Sequence, residues 1–300
     1  MKIKTLGIVG NKNKPEVFQI VKDILSKIKR ISKERSRPFP TKIILHNDFA
    51  QSADKRNKNV TIGDVKKADV ILIFGGDGTL LYFARHLYPC AVPVFPINLG
   101  SLGFLAHTGP DEIITSLKSI FNSNFSILER MLLSIKIIKR TRTQGPFFAL
   151  NDVVVTRGTF ANVLNLDIHV GKNYTTTYQA DGMIISTPTG STAICLSAGG
   201  PIVHPKMEAF VMLPICPHTL SNRPLVLPTD EEISIQVKPS RHTEKNFILS
   251  IDGQEEYEIN DGDKITITKA DESMRVITLP QEDYFKILRT KLKWGGRNDF

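Results

Sequence analysis

Residues 70–87, "VILIFGGDGTLLYFARHL", carry the reading of the fold. Apolar residues run unbroken from Val70 to Phe74 and stop at Gly75 and Gly76. A strand exposed on one face would alternate polar and apolar; an unbroken run suits a strand covered on both faces. Beyond Asp77 the period changes. Leu80, Phe83, Ala84 and Leu87 recur at the spacing of one helix face. Gly75, Gly76 and Gly78 permit a tight turn and a close ligand approach to the backbone. The helix start beyond them offers N–H groups to an anion. Yet an acid, Asp77, stands where phosphate would repel it. The alternative is an ordinary tight turn, with Asp77 or Thr79 capping the helix.

The flanking sequence extends the pattern. "TLGIVG" (5–10), "TKIILHN" (41–47) and "VPVFPINLG" (92–100) read as further buried strands. "PEVFQIVKDILSKIKRI" (15–31) places Val17, Ile20, Val21, Ile24, Leu25 and Ile28 on one helical face, with Pro15 suited to the first turn. Strands alternating with helices make a parallel α/β sheet. Ligands bind at the carboxyl ends of such strands, where Gly10 and the loops 75–78 and 98–103 line up. After about residue 125 the chain breaks into short strand-like runs separated by Gly, Asn, Asp or Pro, and "MRVITLP" (274–280) continues them. The expected architecture is an α/β domain (1–124) followed by a β-rich, sandwich-like domain (125–281). A C-terminal helix (282–300) returns to the first domain.

Three hundred residues at 41% hydrophobic can fill two cores. The formal charge of +9 favours polyanionic partners. The densest basic runs, "KIKRISKERSR" (27–37) and "LRTKLKWGGR" (288–297), lack the aromatic interleaving of a single-strand binder and read as solvated faces. We therefore expect no nucleic-acid partner. No apolar run approaches the ~20 residues of a membrane span, and "MKIKTLGIVGNKN" lacks a signal stretch. Cys90, Cys195 and Cys216 form no close pair, which argues for reduced thiols and a cytoplasmic address. The histidines show no metal spacing, so no protein-held metal is expected.

Two further stretches carry chemistry. "DGMIISTPTGSTA" (181–193) crowds Ser186, Thr187, Thr189, Gly190, Ser191 and Thr192 before a short helix. It reads as an anion- or ribose-binding nest, or as a helix capped by Ser191 or Thr192. Ser191 lacks the G-x-S-x-G frame of a nucleophile. Asn151 and Asp152, before the strand "VVV", can read hydroxyls and ring nitrogens, or simply make a turn. The glycine loop is neither a Walker loop nor G-x-G-x-x-G, since Leu81 stands where the third glycine belongs.

Together these motifs resemble the NAD kinase family over essentially the whole chain. The matching pieces are "GGDGTLL" (75–81), "NLGSLGFLA" (98–106), "LERMLL" (128–133), "NDVVV" (151–155), "DGMIISTPTGSTA" (181–193), "LSAGGPIVHP" (196–205), "PHTLSNRPLVLP" (217–228) and "DGQ" (252–254). G-G-D-G alone is shared with diacylglycerol-type lipid kinases and phosphofructokinases; T-P-T-G-S-T-A is far more specific. The resemblance implies transfer of the ATP γ-phosphate to the 2′-hydroxyl of the adenosine ribose of NAD. It implies Asp77 as the catalytic residue and a phosphate loop of Gly75, Gly76, Gly78 and Thr79. It implies NAD contacts from Asp77, Gly78, Phe104, Asn151, Asp152, Asp181, Thr192, Ala193, Ile194, Cys195, Leu196, Ser197 and Gln254. The implied cofactor is Mg²⁺ arriving with ATP. Polyphosphate is an alternative donor, and the implied assembly is a homodimer or homotetramer. Two positions depart from the family: Ile194 replaces a usual Tyr, and Gln179 stands where relatives often carry Arg.

Overall fold

The computed structural model describes residues 3–11, 15–34, 42–46, 60–100, 103–157, 164–238 and 247–294. The chain divides into two compact units, Met1–Glu129 with Met274–Phe300, and Arg130–Ser273. The strands are β1 (Thr5–Gly10), β2 (Lys42–Leu45), β3 (Val70–Phe74), β4 (Val94–Ile97), β5 (Ser126–Arg130), β6 (Leu133–Ile138), β7 (Thr143–Ala149), β8 (Asp152–Arg157) and β9 (Leu164–Val170). They continue with β10 (Asn173–Ala180), β11 (Gly182–Ser186), β12 (Phe210–Ile215), β13 (Leu225–Leu227), β14 (Ile233–Val237), β15 (Phe247–Ile251), β16 (Glu255–Ile259), β17 (Lys264–Lys269) and β18 (Met274–Thr278). The helices are α1 (Pro15–Glu34), α2 (Ile62–Val65), α3 (Asp77–Leu87), α4 (Ile113–Phe121), α5 (Ile194–Ser197) and α6 (Tyr284–Leu292).

The first unit is built on a six-stranded sheet in the order β2-β1-β3-β4-β18-β5, with β1, β2, β3 and β4 parallel. Every residue of β3 is buried, as its unbroken apolar run required. Val70, Leu72 and Phe74 join Val17, Val21, Ile24 and Ile28 of α1 in one core. The alternation of strand side chains leaves Ile71 and Ile73 for the opposite face. α3 buries Leu80, Phe83, Ala84 and Leu87, the stripe read from the sequence. The strand ends lie side by side: Asn11 N–H donates to Phe74 O at 3.1 Å, and Gly75 N–H to Ile97 O at 2.9 Å.

β18 departs from the sequence pattern. Its neighbours in the chain belong to the β-rich half, yet it pairs in parallel with β4 of the first sheet. Alternating strand residues look alike in either sheet, so the pattern does not say which edge a strand will join. The C-terminal helix α6 also belongs to the first unit, and Lys291 Nζ lies 5.5 Å from the Phe104 ring centroid. Asp283 caps the helix by accepting from Phe285 N–H at 2.9 Å. Only Leu288 of its apolar residues is buried, while Phe285 and the following Trp294 are exposed. Residues 295–300 of the expected terminal helix lie outside the described residues.

The second unit is a sandwich of two six-stranded antiparallel sheets, β10-β9-β14-β17-β6-β7 and β13-β12-β11-β8-β15-β16. Alternate residues fill the shared core: Leu133, Ile135 and Ile137 from β6, and Ile233, Ile235 and Val237 from β14. Val153 and Val155 of β8 and Met183 and Ile185 of β11 meet them from the other sheet. β8 and β11 are also covered outside, where Val154, Ile184, Val211 and Leu213 pack with Cys195 and Val203. That double cover explains their unbroken apolar runs, which a one-sided sandwich strand would not need.

Candidate active site

Asp77 opens α3 but does not cap it. Gly76 is the N-cap, with φ −89° and ψ −170°. Thr79 and Leu80 N–H both return to Gly76 O, at 3.0 and 3.2 Å. The Asp77 side chain reaches instead to the segment after β4. Its Oδ2 accepts from Phe104 N–H at 2.8 Å, and its Oδ1 from Leu105 and Ala106 N–H at 3.1 Å each. Consecutive N–H groups make a concave anion seat, and here a carboxylate of the protein occupies it. Gly103 is the condition for this arrangement: a Cβ there would overlap Asp77 Oδ1 and come within 2.7 Å of its Cγ. Gly75 likewise leaves the space that the Thr79 side chain fills. A carboxylate offers about four acceptor positions, and the backbone takes three. The remaining one is on Oδ2.

A second carboxylate seat lies in the sandwich. Asp252 and Gly253 form the tip of the β15–β16 hairpin, with φ of 51° and 63°. Positive φ at both central residues is the hairpin-turn signature of Asp-Gly. Asp252 Oδ2 accepts from Leu150 N–H at 3.0 Å, and its Oδ1 from Asn151 and Asp152 N–H at 2.8 and 3.1 Å. Asp252 N–H returns to Asp152 O at 2.9 Å. The sequence reading took Gln254 from this motif and missed Asp252; the turn chemistry of "DG" was the available signal. Asn151 Oδ1 is buried and accepts no hydrogen bond among the described residues. Asp152 is 3% exposed. Burial, and then the negative charge of Asp252, push its carboxyl from 3.8 up to about 7.

The hydroxyl-rich block turns inward. Thr187 Oγ1 donates to Leu150 O at 2.6 Å and accepts from Gly190 N–H at 3.0 Å. Ser191 Oγ donates to Pro188 O at 2.6 Å and accepts from Val203 N–H at 3.0 Å. Ser186 Oγ donates to Asn151 O at 3.2 Å, and Thr192 Oγ1 to Thr189 O at 3.2 Å. Arg130 Nη1 donates to Thr189 Oγ1 at 3.2 Å. In a block expected as an anion- or ribose-binding nest, Ser186, Thr187, Ser191 and Thr192 thus turn their hydroxyls onto backbone carbonyls, those of Leu150 and Asn151 among them. What it builds is a scaffold for Asn151, whose carbonyl also accepts from Thr187 N–H at 2.8 Å. Gly190 is packed against that carbonyl so closely that a Cβ would overlap it. Neither Ser191 nor Thr192 caps α5, whose N-cap is Ala193.

Residues 6–125 match the family model of the ATP-NAD kinase N-terminal domain, and residues 150–279 that of the ATP-NAD kinase C-terminal domain. An NAD kinase of Syntrophotalea carbinolica is 36% identical over 296 residues, covering 98% of this chain and 100% of that protein. This chain belongs to the NAD kinase family. An NAD kinase of Citrifermentans bemidjiense is 43% identical over 230 residues, 77% of this chain and 79% of that one. Among solved structures, yeast NADH kinase complexed with NADH superposes with a TM-score of 0.84 at 27% identity, covering 100% of this chain and 90% of that one. An NAD kinase from Archaeoglobus fulgidus in complex with ATP gives 0.73 at 25% identity, covering 97% and 100%.

Within the NAD kinase frame, the expected residues fall into separate groups. Asp77, Gly75, Gly76, Gly78, Thr79 and Phe104 gather around the first seat. Asn151, Asp152 and Gln254 gather around the second, beside the block that ends in Thr192 and Ala193. Asp181 lies elsewhere. Ser186 pairs with Asp152 across β11 and β8, so Asp181 is five strand residues away, about 16 Å. There Arg157 Nη2 meets Asp181 Oδ2 at 3.2 Å. Arg157 thus sets a positive charge beside Asp181, a neighbour visible only in the structure. Ile194 and Ser197 are exposed, and Leu196 is half-buried. Cys195 is fully buried among Val154, Ile184 and Val203. Burial first, and then Asp152, push its thiol up to about 11. Its side chain lies in that apolar cluster. Among the described residues no group of His, Cys, Asp or Glu is arranged to hold a metal ion.

Proposed function

We propose that the chain transfers the γ-phosphate of ATP to the 2′-hydroxyl of the adenosine ribose of NAD, giving NADP and ADP, with Asp77 as the catalytic residue. Membership of the NAD kinase family makes the chain an enzyme that phosphorylates NAD to NADP; the acceptor atom and the residue roles are our reading. The observation that supports it is the seat of Asp77. Held by three N–H groups, the carboxylate keeps its place when phosphates arrive. Its remaining acceptor position on Oδ2 suits a sugar hydroxyl. Phosphoryl transfer depends on alignment and charge neutralisation more than on covalent chemistry. Asp77 orients the hydroxyl and takes its proton late, while Gly75, Gly76, Gly78 and Thr79 attend the phosphates.

NAD recognition falls chiefly to the second unit. The unpartnered Asn151 Oδ1 needs a donor, which an adenine amino group or a ribose hydroxyl supplies. Asp152 stands beside it. Asp181, Thr192, Ala193, Ile194, Leu196, Ser197 and Gln254 are the further proposed NAD contacts of this unit, with Cys195 as packing beneath Thr192 and Ala193; Phe104 is a proposed NAD contact of the first unit. Mg²⁺ neutralises phosphate charge when bound. It fits here as a partner of phosphate oxygens and water, because the backbone already engages Asp77. The phosphate-transfer role belongs to Met1–Glu129 with Met274–Phe300, and the NAD-binding role to Arg130–Ser273. A cytoplasmic address and a homodimer or homotetramer complete the proposal.

The test couples the reaction to an NADP-specific dehydrogenase, with ATP and polyphosphate as alternative donors. Asp77→Asn lowers kcat by roughly 10²–10⁴, the usual worth of a general base, while KM for NAD stays close to wild type. A near-normal kcat in that variant removes Asp77 from the mechanism. Phosphorylation of diacylglycerol in preference to NAD overturns the substrate assignment.

A further inference from the structure

We propose that Asp252 is a positioning residue for NAD recognition: its carboxylate fixes the place of Asn151 and Asp152 through their backbone N–H groups and sets a second acid beside the buried Asp152 side chain. The proposal rests on the reading of Asn151 and Asp152 as the NAD-binding pair. Asp252 is 8% exposed and holds the N–H groups of Leu150, Asn151 and Asp152 at 2.8–3.1 Å. Three such donors stabilise a negative carboxylate. The return bond from Asp252 N–H to Asp152 O ties hairpin and strand in both directions. Asp252 adopts a φ of 51° to do this, a conformation Asp tolerates better than most residues.

Asp152 is the group this arrangement acts upon. Its carboxyl makes no hydrogen bond or ion pair among the described residues, and it is almost wholly buried. Asp252 faces it from the β15–β16 turn and the Cys195 thiol from α5. Neither is a cation. Desolvation and a like charge both favour the neutral carboxyl, which places its titration at about 7. Near neutrality the pair therefore presents an acceptor, Asn151 Oδ1, beside a donor, the Asp152 hydroxyl. An adenine edge carries the complement, an amino donor beside a ring-nitrogen acceptor.

The experiment measures kcat/KM for NAD across neutral pH at saturating ATP, for wild type and variants. In wild type the value falls as pH rises through about 7 and Asp152 loses its proton. Asp252→Asn removes the like charge and moves that fall to lower pH, so KM for NAD at neutral pH rises severalfold. KM for ATP changes little, and a thermal melt checks the fold. Asp152→Asn carries a permanent neutral donor and flattens the profile, which assigns the break to Asp152; if Asp252→Asn fails to fold, Asp252→Ser removes the same charge and takes its place. A break that stays at the wild-type pH in Asp252→Asn, or that persists in Asp152→Asn, overturns the proposal. Asn151→Ala separates the two levels. An unchanged KM for NAD there removes the NAD-binding reading itself. A raised KM together with an unmoved Asp252→Asn break removes only the role of Asp252.

Discussion

Replacing Gly103 by alanine adds one methyl group at the point where it does most harm. A Cβ on this buried residue would overlap Asp77 Oδ1 and lie 2.7 and 2.8 Å from its Cγ and Oδ2. Real Cβ atoms do not sit that close, so the carboxylate must leave its seat. The bonds at stake are those from Phe104, Leu105 and Ala106 N–H, at 2.8, 3.1 and 3.1 Å. Hydrogen bonds to charged groups are worth about 1.5–3 kcal/mol net, so losing one or two costs about 1.5–6 kcal/mol. Part of this destabilises the segment after β4, and part misplaces the reacting oxygen. A displacement of ~1 Å at a reacting group costs on the order of 10²-fold in rate. The expected result in the NADP-coupled assay is a kcat reduced about 10²-fold or more, with KM for NAD little changed and a lower melting temperature. Gly109→Ala is the control, because a Cβ at Gly109 meets nothing within 4 Å; its kinetics should match wild type. A Gly103→Ala enzyme with normal kcat and an unchanged melt would show that Asp77 works without its three-donor seat, and the reasoning would fail.

The remaining predictions concern the sandwich. Gly190→Ala forces a methyl onto the Asn151 carbonyl; overpacking of this kind costs typically 1–3 kcal/mol, and KM for NAD should rise more than kcat falls, which steady-state kinetics and a thermal melt together would check. Asp152 binds its proton more tightly folded than unfolded, with a value raised from 3.8 to about 7. Its contribution therefore makes stability fall as pH rises from about 4 to 7 and stay level above that, by up to ~4 kcal/mol for a shift of this size. Chemical denaturation at several pH values should show a steeper loss in wild type than in Asp152→Asn; parallel curves would contradict the assignment.

The primary sequence by itself determined the order of elements, the two architectures and the family. Those depend on local periodicity and on motifs contiguous in the chain, such as the apolar run of β3 or the T-P-T-G-S-T block. It also marked Asp77, an acid among glycines, and Asn151–Asp152, an amide and an acid just before a strand, as candidates. What it left open was where each side chain points. Thr187 and Ser191 look like ligand-binding hydroxyls until their bonds to Leu150, Pro188 and Val203 are seen. Cys195 looks like a pocket residue until it is found in an apolar core. Asp252 is a turn residue until it closes on amides about 100 positions earlier. β18 joins the first sheet because a free parallel edge of β4 is open to it, a fact of three dimensions. The question raised by an acid within "GGDG" has the same kind of answer. Asp77 is compatible with a phosphate loop because backbone N–H groups from residues 104–106 surround it. Charge stabilisation by groups so distant in sequence exists only once the chain has folded, which is why the sequence could name the residue but not its surroundings.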